Sequence, residues 1–290
     1  MRVLVCLVVA LQATFSVRTE MVVLPVTVTD ARGHSVVGLT ADHFRVFDDG
    51  ALRSIALFRG GEVPMTIGLV VDHSQSMGPK LRSVNAAAAA FARSGHADDE
   101  MFAVGFNDEI RVLPLRGGKT FTRDASDLDT ALGALIPGGS TALYDAVAEA
   151  LRRLVPGRAE RKALVVVSDG GDNASRLKYG QLRDLVRQSQ AVIYGIGLIG
   201  ADYQDEDPEI LKRLCRDSGG MAYFPATREV IAGAFAQIAT DLREQYTIGF
   251  VPAATSSKNT SHSINVRVVD DAGRSLQVRT RSGYDTGTVK

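Results

Sequence analysis

The sequence predicts an α/β protein: a doubly wound, mostly parallel sheet with helices on both faces, inserted between N- and C-terminal β-strand flanks. Three observations predict it. Apolar runs at Met65–Val71, Met101–Phe106, Lys162–Val167 and Ala191–Gly197 read as strands, and the uninterrupted first run reads as buried on both faces. Helical stretches separate or follow them, at Lys80–Ser94, Asp124–Leu135, Thr141–Leu154, Leu177–Gln190, Asp207–Ser218 and Glu229–Gln245. Strands alternating with helices in this way build a doubly wound sheet. Finally, both ends of the chain are β-rich, and neither flank has enough strands to bury a face alone. The two flanks are therefore expected to pair into one small β-sandwich.

Taken in order, Met1-Arg2 and the short apolar run Val3–Leu11, with Gln12-Ala13 as a small-residue boundary, have the shape of a secretory signal peptide. The run is too short to span a membrane. Residues 20–62 form the N-terminal flank. Val22–Thr29 is a strand, Asp30–Gly33 a turn, and Thr40 caps a short helical turn. Phe44–Phe47 and Ser54–Phe58 are expected to form a hairpin around Asp48-Asp49-Gly50. Gly60–Pro64 is a natural boundary, and residues 63–245 make the α/β domain. Within it, Ile110–Leu115 is expected as an antiparallel edge strand, and Met221–Phe224 as a last short strand. The C-terminal flank, residues 246–290, offers Tyr246–Pro252, then Ile264–Val269 turning at Asp270–Gly273 into Ser275–Thr280.

Composition narrows the function classes. The 290 residues carry 33 basic and 33 acidic side chains, so no electrostatic case exists for nucleic acid or an anionic membrane. There is no tryptophan and only 6% aromatic residues, a poor platform for stacking bases or sugars. Two cysteines, Cys6 within the leader and Cys215, give no disulfide framework. His34 and His43 have no second ligand at metal-site spacing and read as surface residues.

The chemistry gathers at three places. Asp72-x-Ser74-x-Ser76 follows the first central strand, Gly139-Ser140-Thr141 precedes a helix, and Ser168-Asp169-Gly170 ends a second buried strand. Oxygen donors in this number at the carboxyl ends of central strands suit Mg²⁺ or a similar hard cation. Taken singly, Asp72, Ser74 and Ser76 read as helix-capping and turn residues. Together, in order, the three segments resemble the von Willebrand factor type A domain with a metal-ion-dependent adhesion site. The flanks, with Pro25–Asp30, Gly38-Leu39-Thr40, Phe44–Gly50, Leu242–Tyr246 and Arg281–Tyr284, resemble exported bacterial members of that family, common in Acidobacteria-like genomes.

That resemblance implies that Ser74, Ser76 and Thr141 ligate Mg²⁺ (or Mn²⁺ or Ca²⁺) directly. Asp72 and Asp169 would act directly or through water. It further implies a protein-binding module whose metal accepts the Glu or Asp carboxylate of a protein partner, with no small-molecule substrate and no catalytic residue. The chain would be exported, to the periplasm, cell surface or medium, without stable membrane insertion apart from the leader. Without export it would be cytoplasmic. Rim candidates are His73, Gln75, Met77, Asn107, Ser140, Asp172 and Asn173. The rival reading is a Mg²⁺-dependent phosphoryl-transfer enzyme with Asp72 as nucleophile. It lacks a second carboxylate two residues on, where Ser74 stands. Neither G-x-S-x-G nor a P-loop lysine motif is present.

Overall fold

The computed structural model describes residues 21–198, 207–227, 230–253 and 261–285. The leader-like segment lies outside them. A six-stranded sheet forms the centre: β5 (Met65–Asp72), β6 (Glu100–Phe106), β7 (Ile110–Val112), β8 (Arg161–Ser168), β9 (Val192–Gly197) and β10 (Ala222–Tyr223). Its order is β10-β9-β8-β5-β6-β7. All neighbours are parallel except β7, which returns antiparallel on β6 as the expected edge strand.

Every residue of β5 is buried, which is why its sequence shows no polar alternation. Met65, Ile67, Leu69 and Val71 face one layer of helices: α1 (Leu81–Arg93), α2 (Ala125–Gly133) and α6 (Ile231–Glu244). Val70 faces the other, made of α3 (Leu143–Leu154), α4 (Tyr179–Gln188) and α5 (Pro208–Ser218). The alanines of α1 that point inward, Ala87, Ala88 and Ala92, are buried. They keep that helix slim where it meets α2 and α6.

The flanks form two four-stranded sheets, each drawn from both ends of the chain. One runs β13-β1-β11-β4 and the other β14-β12-β2-β3. The first comprises β1 (Val22–Thr29), β4 (Ile55–Arg59), β11 (Tyr246–Phe250) and β13 (Gln277–Arg279). The second comprises β2 (Phe44–Asp48), β3 (Ala51–Arg53), β12 (Ser261–Val268) and β14 (Gly283–Asp285). Leu24, Val26, Phe44, Val46, Ile248, Phe250, Val266 and Val268 fill one core between them, and β12 alternates exposed and buried along its length.

The expected hairpin differs in its second arm. β2 pairs with β3 around Asp49-Gly50, in register Phe47↔Leu52. The chain then crosses at Ser54, and β4 pairs with β11 in the other sheet. Likewise β13 leaves β12 and pairs with β1. Crossing lets the apolar side chains of both arms meet in the sandwich interior, which a flat hairpin would not allow.

Candidate metal centre

β5 and β8 run parallel with Val71 opposite Val167, so Asp72 and Ser168-Asp169 emerge at the same edge of the sheet. From β5 the chain steps to β6 on one side and later returns to β8 on the other. This is the switch point where open sheets bind ligands.

Asp72 is fully buried and Asp169 is 4% exposed. One oxygen of Asp72 accepts the Ser74 N–H at 2.8 Å and the other accepts the Ser168 hydroxyl at 2.7 Å. Ser76 Oγ donates to Asp169 Oδ2 at 2.5 Å and lies 3.3 Å from Ser74 Oγ. Burial pushes the Asp72 carboxyl up to about 6, and the nearby Asp169 charge adds to that.

The Gly-rich loop is tied to the same place by its backbone. Gly138 N–H donates to the His73 carbonyl at 2.9 Å, and Gln75 N–H to the Gly139 carbonyl at 3.2 Å. Thr141, 6% exposed, donates its N–H to Asn173 Oδ1 at 2.8 Å. Its carbonyl accepts the N–H groups of Asn173 and Ala174, both at 3.0 Å. Behind Asp169, Gly170 has φ +87°, and a Cβ there would sit 2.4 Å from the Asp207 carbonyl oxygen. Only glycine fits that turn.

The structure thus joins Asp72, Ser74, Ser76 and Asp169 by hydrogen bonds and brings the Thr141 loop against them. Ser168 has no role in the sequence reading beyond ending β8, yet its hydroxyl holds Asp72. A hydroxyl immediately before a strand-end carboxylate is the signal that points to it. Of the rim candidates, Gln75, Ser140 and Asn173 are exposed. His73 and Met77 are buried, at 4% and 0% exposure, and leave the rim. Asn107 is half-buried and donates to the Gly138 carbonyl at 2.9 Å. Asp172 accepts the Ser175 hydroxyl at 2.6 Å and the Tyr144 N–H at 3.2 Å, which makes it a loop brace.

Charge balance sets the site apart. The other buried aspartates, Asp48, Asp99, Asp127 and Asp241, each have an arginine at 2.6 to 3.4 Å. Among the described residues, no lysine, arginine or histidine pairs with Asp72 or Asp169. Two neighbouring buried carboxylates without a cation are costly. With the serine hydroxyls beside them they offer the hard oxygen donors that Mg²⁺ requires. The residues present therefore fit such an ion.

A second acidic group lies in the sandwich, where ligand atoms of Asp48, Asp49 and His262 come within 4.8 Å of one another. Its carboxylates are already engaged by Arg53 at 3.1 Å, Tyr284 at 3.2 Å and His262 at 2.8 Å.

Comparison with known proteins agrees with this architecture. The model of the von Willebrand factor type A domain matches residues 66–237. The fold is similar to the vWF domain of the type V pili tip protein Mfa5 from Porphyromonas gingivalis. That match has TM-score 0.51 and 15% identity, over 62% of this chain and 95% of that one. It is similar to the PilB minor pilin from Streptococcus sanguinis, with TM-score 0.52 and 13% identity, over 63% of this chain and 62% of the pilin. A von Willebrand factor type A structure from Catenulispora acidiphila matches with TM-score 0.53 and 13% identity. It covers 94% of this chain and 76% of that one, so the likeness reaches into the flanks. A search of curated proteins finds no match. Since the matched region spans more than half of the chain, the protein belongs to the von Willebrand factor type A domain family.

Proposed function

We propose that the protein is a metal-dependent protein-binding module. Ser74, Ser76 and Thr141 would hold Mg²⁺, or Mn²⁺ or Ca²⁺, with Asp72 and Asp169 acting directly or through water. The observation that carries this reading is the charge balance: two adjoining buried carboxylates without an ion-pair partner among the described residues, in a fold that pairs its other buried aspartates with arginine. The bound ion would supply a positive anchor for a partner's Glu or Asp carboxylate, because neutral hydroxyls do not cancel its charge. The exposed Gln75, Ser140 and Asn173 would surround that contact.

Support for export comes from the leader-like N-terminus and from the fold's likeness to pilus proteins. A nucleophilic role for Asp72 is disfavoured. The position two residues on, where a second carboxylate would act as acid and base, is Ser74, and the Asp72 carboxylate is fully buried.

The test is capture of envelope proteins by the immobilised full chain. Binding is expected in Mg²⁺, lost in chelator, restored on adding Mg²⁺, and absent when Ser74 and Ser76 are both alanine. Acetate at high concentration should compete weakly, since it fills the same position without the surrounding interface. Binding indifferent to chelator contradicts the reading. So does hydrolysis of simple phosphate esters lost on Asp72→Asn.

A further inference from the structure

The register of the two central strands places one buried hydroxyl beside the candidate ligands without making it one of them. Val71 lies opposite Val167, so the next residues, Asp72 and Ser168, end their strands side by side. Val70 and Val166 pack in one layer with α3, α4 and α5, and the period-2 alternation of a strand turns Asp72 and Ser168 to that same face. Both are fully buried. The Ser168 hydroxyl donates to Asp72 Oδ2 at 2.7 Å. It also accepts the Gly170 N–H at 3.2 Å, and its own proton is directed to the carboxylate. A carboxylate is planar and turns about one bond. The Ser74 N–H holds Asp72 at Oδ1, at 2.8 Å, and Ser168 holds it at Oδ2, so the plane is fixed at both ends. With the Ser168 contact gone, the group can swing about the other. The Gly170 contact carries the same oxygen into the turn directly behind Asp169, where Gly170 has φ +87°. One hydroxyl therefore links the orientation of Asp72 to the turn that follows Asp169.

We propose that Ser168 is a positioning residue of the metal centre, and that the rigidity it gives Asp72 weights the site toward Mg²⁺ over Ca²⁺. This rests on the metal-dependent reading above. Mg²⁺ demands a near-ideal octahedron of close oxygens, whereas Ca²⁺ accepts more ligands at longer and more variable distances. A carboxylate free to swing therefore harms Mg²⁺ binding more than Ca²⁺ binding. Groups that orient a metal's ligands from behind are typically worth about 10- to 100-fold in affinity.

Titration calorimetry of the full chain, with Mg²⁺ and separately with Ca²⁺, compares the wild type with Ser168→Ala and Ser168→Thr. Each variant is first shown to unfold cooperatively in chelator. Ser168→Ala is expected to lose about tenfold or more in Mg²⁺ affinity and distinctly less in Ca²⁺ affinity. Ser168→Thr keeps the hydroxyl and is expected to restore the wild-type ratio of the two affinities. Should Ser168→Ala fail to fold, Ser168→Cys, close in size and only a weak donor, is measured in its place with the same expectation. Unchanged Mg²⁺ affinity without the hydroxyl, or equal losses for both ions, overturns the proposal while leaving the metal centre standing. A folded Ser168→Thr with the weakened Mg²⁺ binding of Ser168→Ala overturns it too. A wild-type chain that binds neither ion overturns the metal-dependent reading, and the proposal with it.

Discussion

Buried aspartates in this protein are stabilised in two ways, and the difference separates scaffold from site. Asp99, fully buried, accepts the backbone N–H groups of Met65 and His96 and pairs with Arg243 at 2.6 Å. Arg243→Ala leaves that charge without its cation and is expected to cost roughly 3–5 kcal/mol in urea unfolding. Asp72 has hydroxyl and amide donors but, among the described residues, no cation, and burial already disfavours its ionised form. Asp72→Asn should therefore leave the metal-free protein within about 1 kcal/mol of the wild type, or above it. Mg²⁺ is expected to stabilise the wild type and not the variant. Thermal unfolding with chelator and with Mg²⁺ checks both halves. A large loss of stability for Asp72→Asn in chelator would mark Asp72 as a structural brace.

Individual elements show what local sequence determines and what it leaves to tertiary packing. β5 was legible because burial on both faces removes polar alternation, and the strand ends where its first carboxylate stands. Its Gly68 allows the neighbouring side chains to meet above it: a Cβ there would lie 2.5 Å from the Phe102 ring and 2.6 Å from Leu164. Gly68→Ala is expected to destabilise the protein by about 1–3 kcal/mol through overpacking, measurable as a lowered urea midpoint at unchanged slope. The three segments that carry the candidate ligands stand out in the sequence for a similar reason, since each is a short motif fixed to a strand end or helix start. The hairpin partner of β2 was not. Asp49-Gly50 encodes the turn, with Asp49 at φ +49° and Gly50 at φ +80°, but nothing local tells the chain to cross at Ser54. The buried position of His73 was hidden too, because its ring packs among β6, the β7 region and the α2 end, all distant in sequence.

At the scale of the whole molecule, the sandwich and the α/β body are fastened together by arginines. Arg279 of β13 reaches Asp241 of α6 at 2.6 Å. Arg161 of β8 donates to Thr247 of β11 at 2.8 Å. Arg281 donates to the carbonyls of Arg187 and Ser189 at the end of α4. Because each sandwich sheet mixes strands from both ends of the chain, removing Ser261–Lys290 takes strands from both sheets. That truncation is expected to expose Met21–Phe58 to proteolysis, since their apolar face loses its cover; unchanged protection would mean that the N-terminal strands hold together alone. On the proposed function, this frame presents one divalent cation at the edge shared by β5 and β8. Titration calorimetry with Mg²⁺ and Mn²⁺ is expected to show about one ion bound per chain in the wild type and none in Asp72→Ala or Thr141→Ala, both still folded. Unchanged binding in both variants would contradict it.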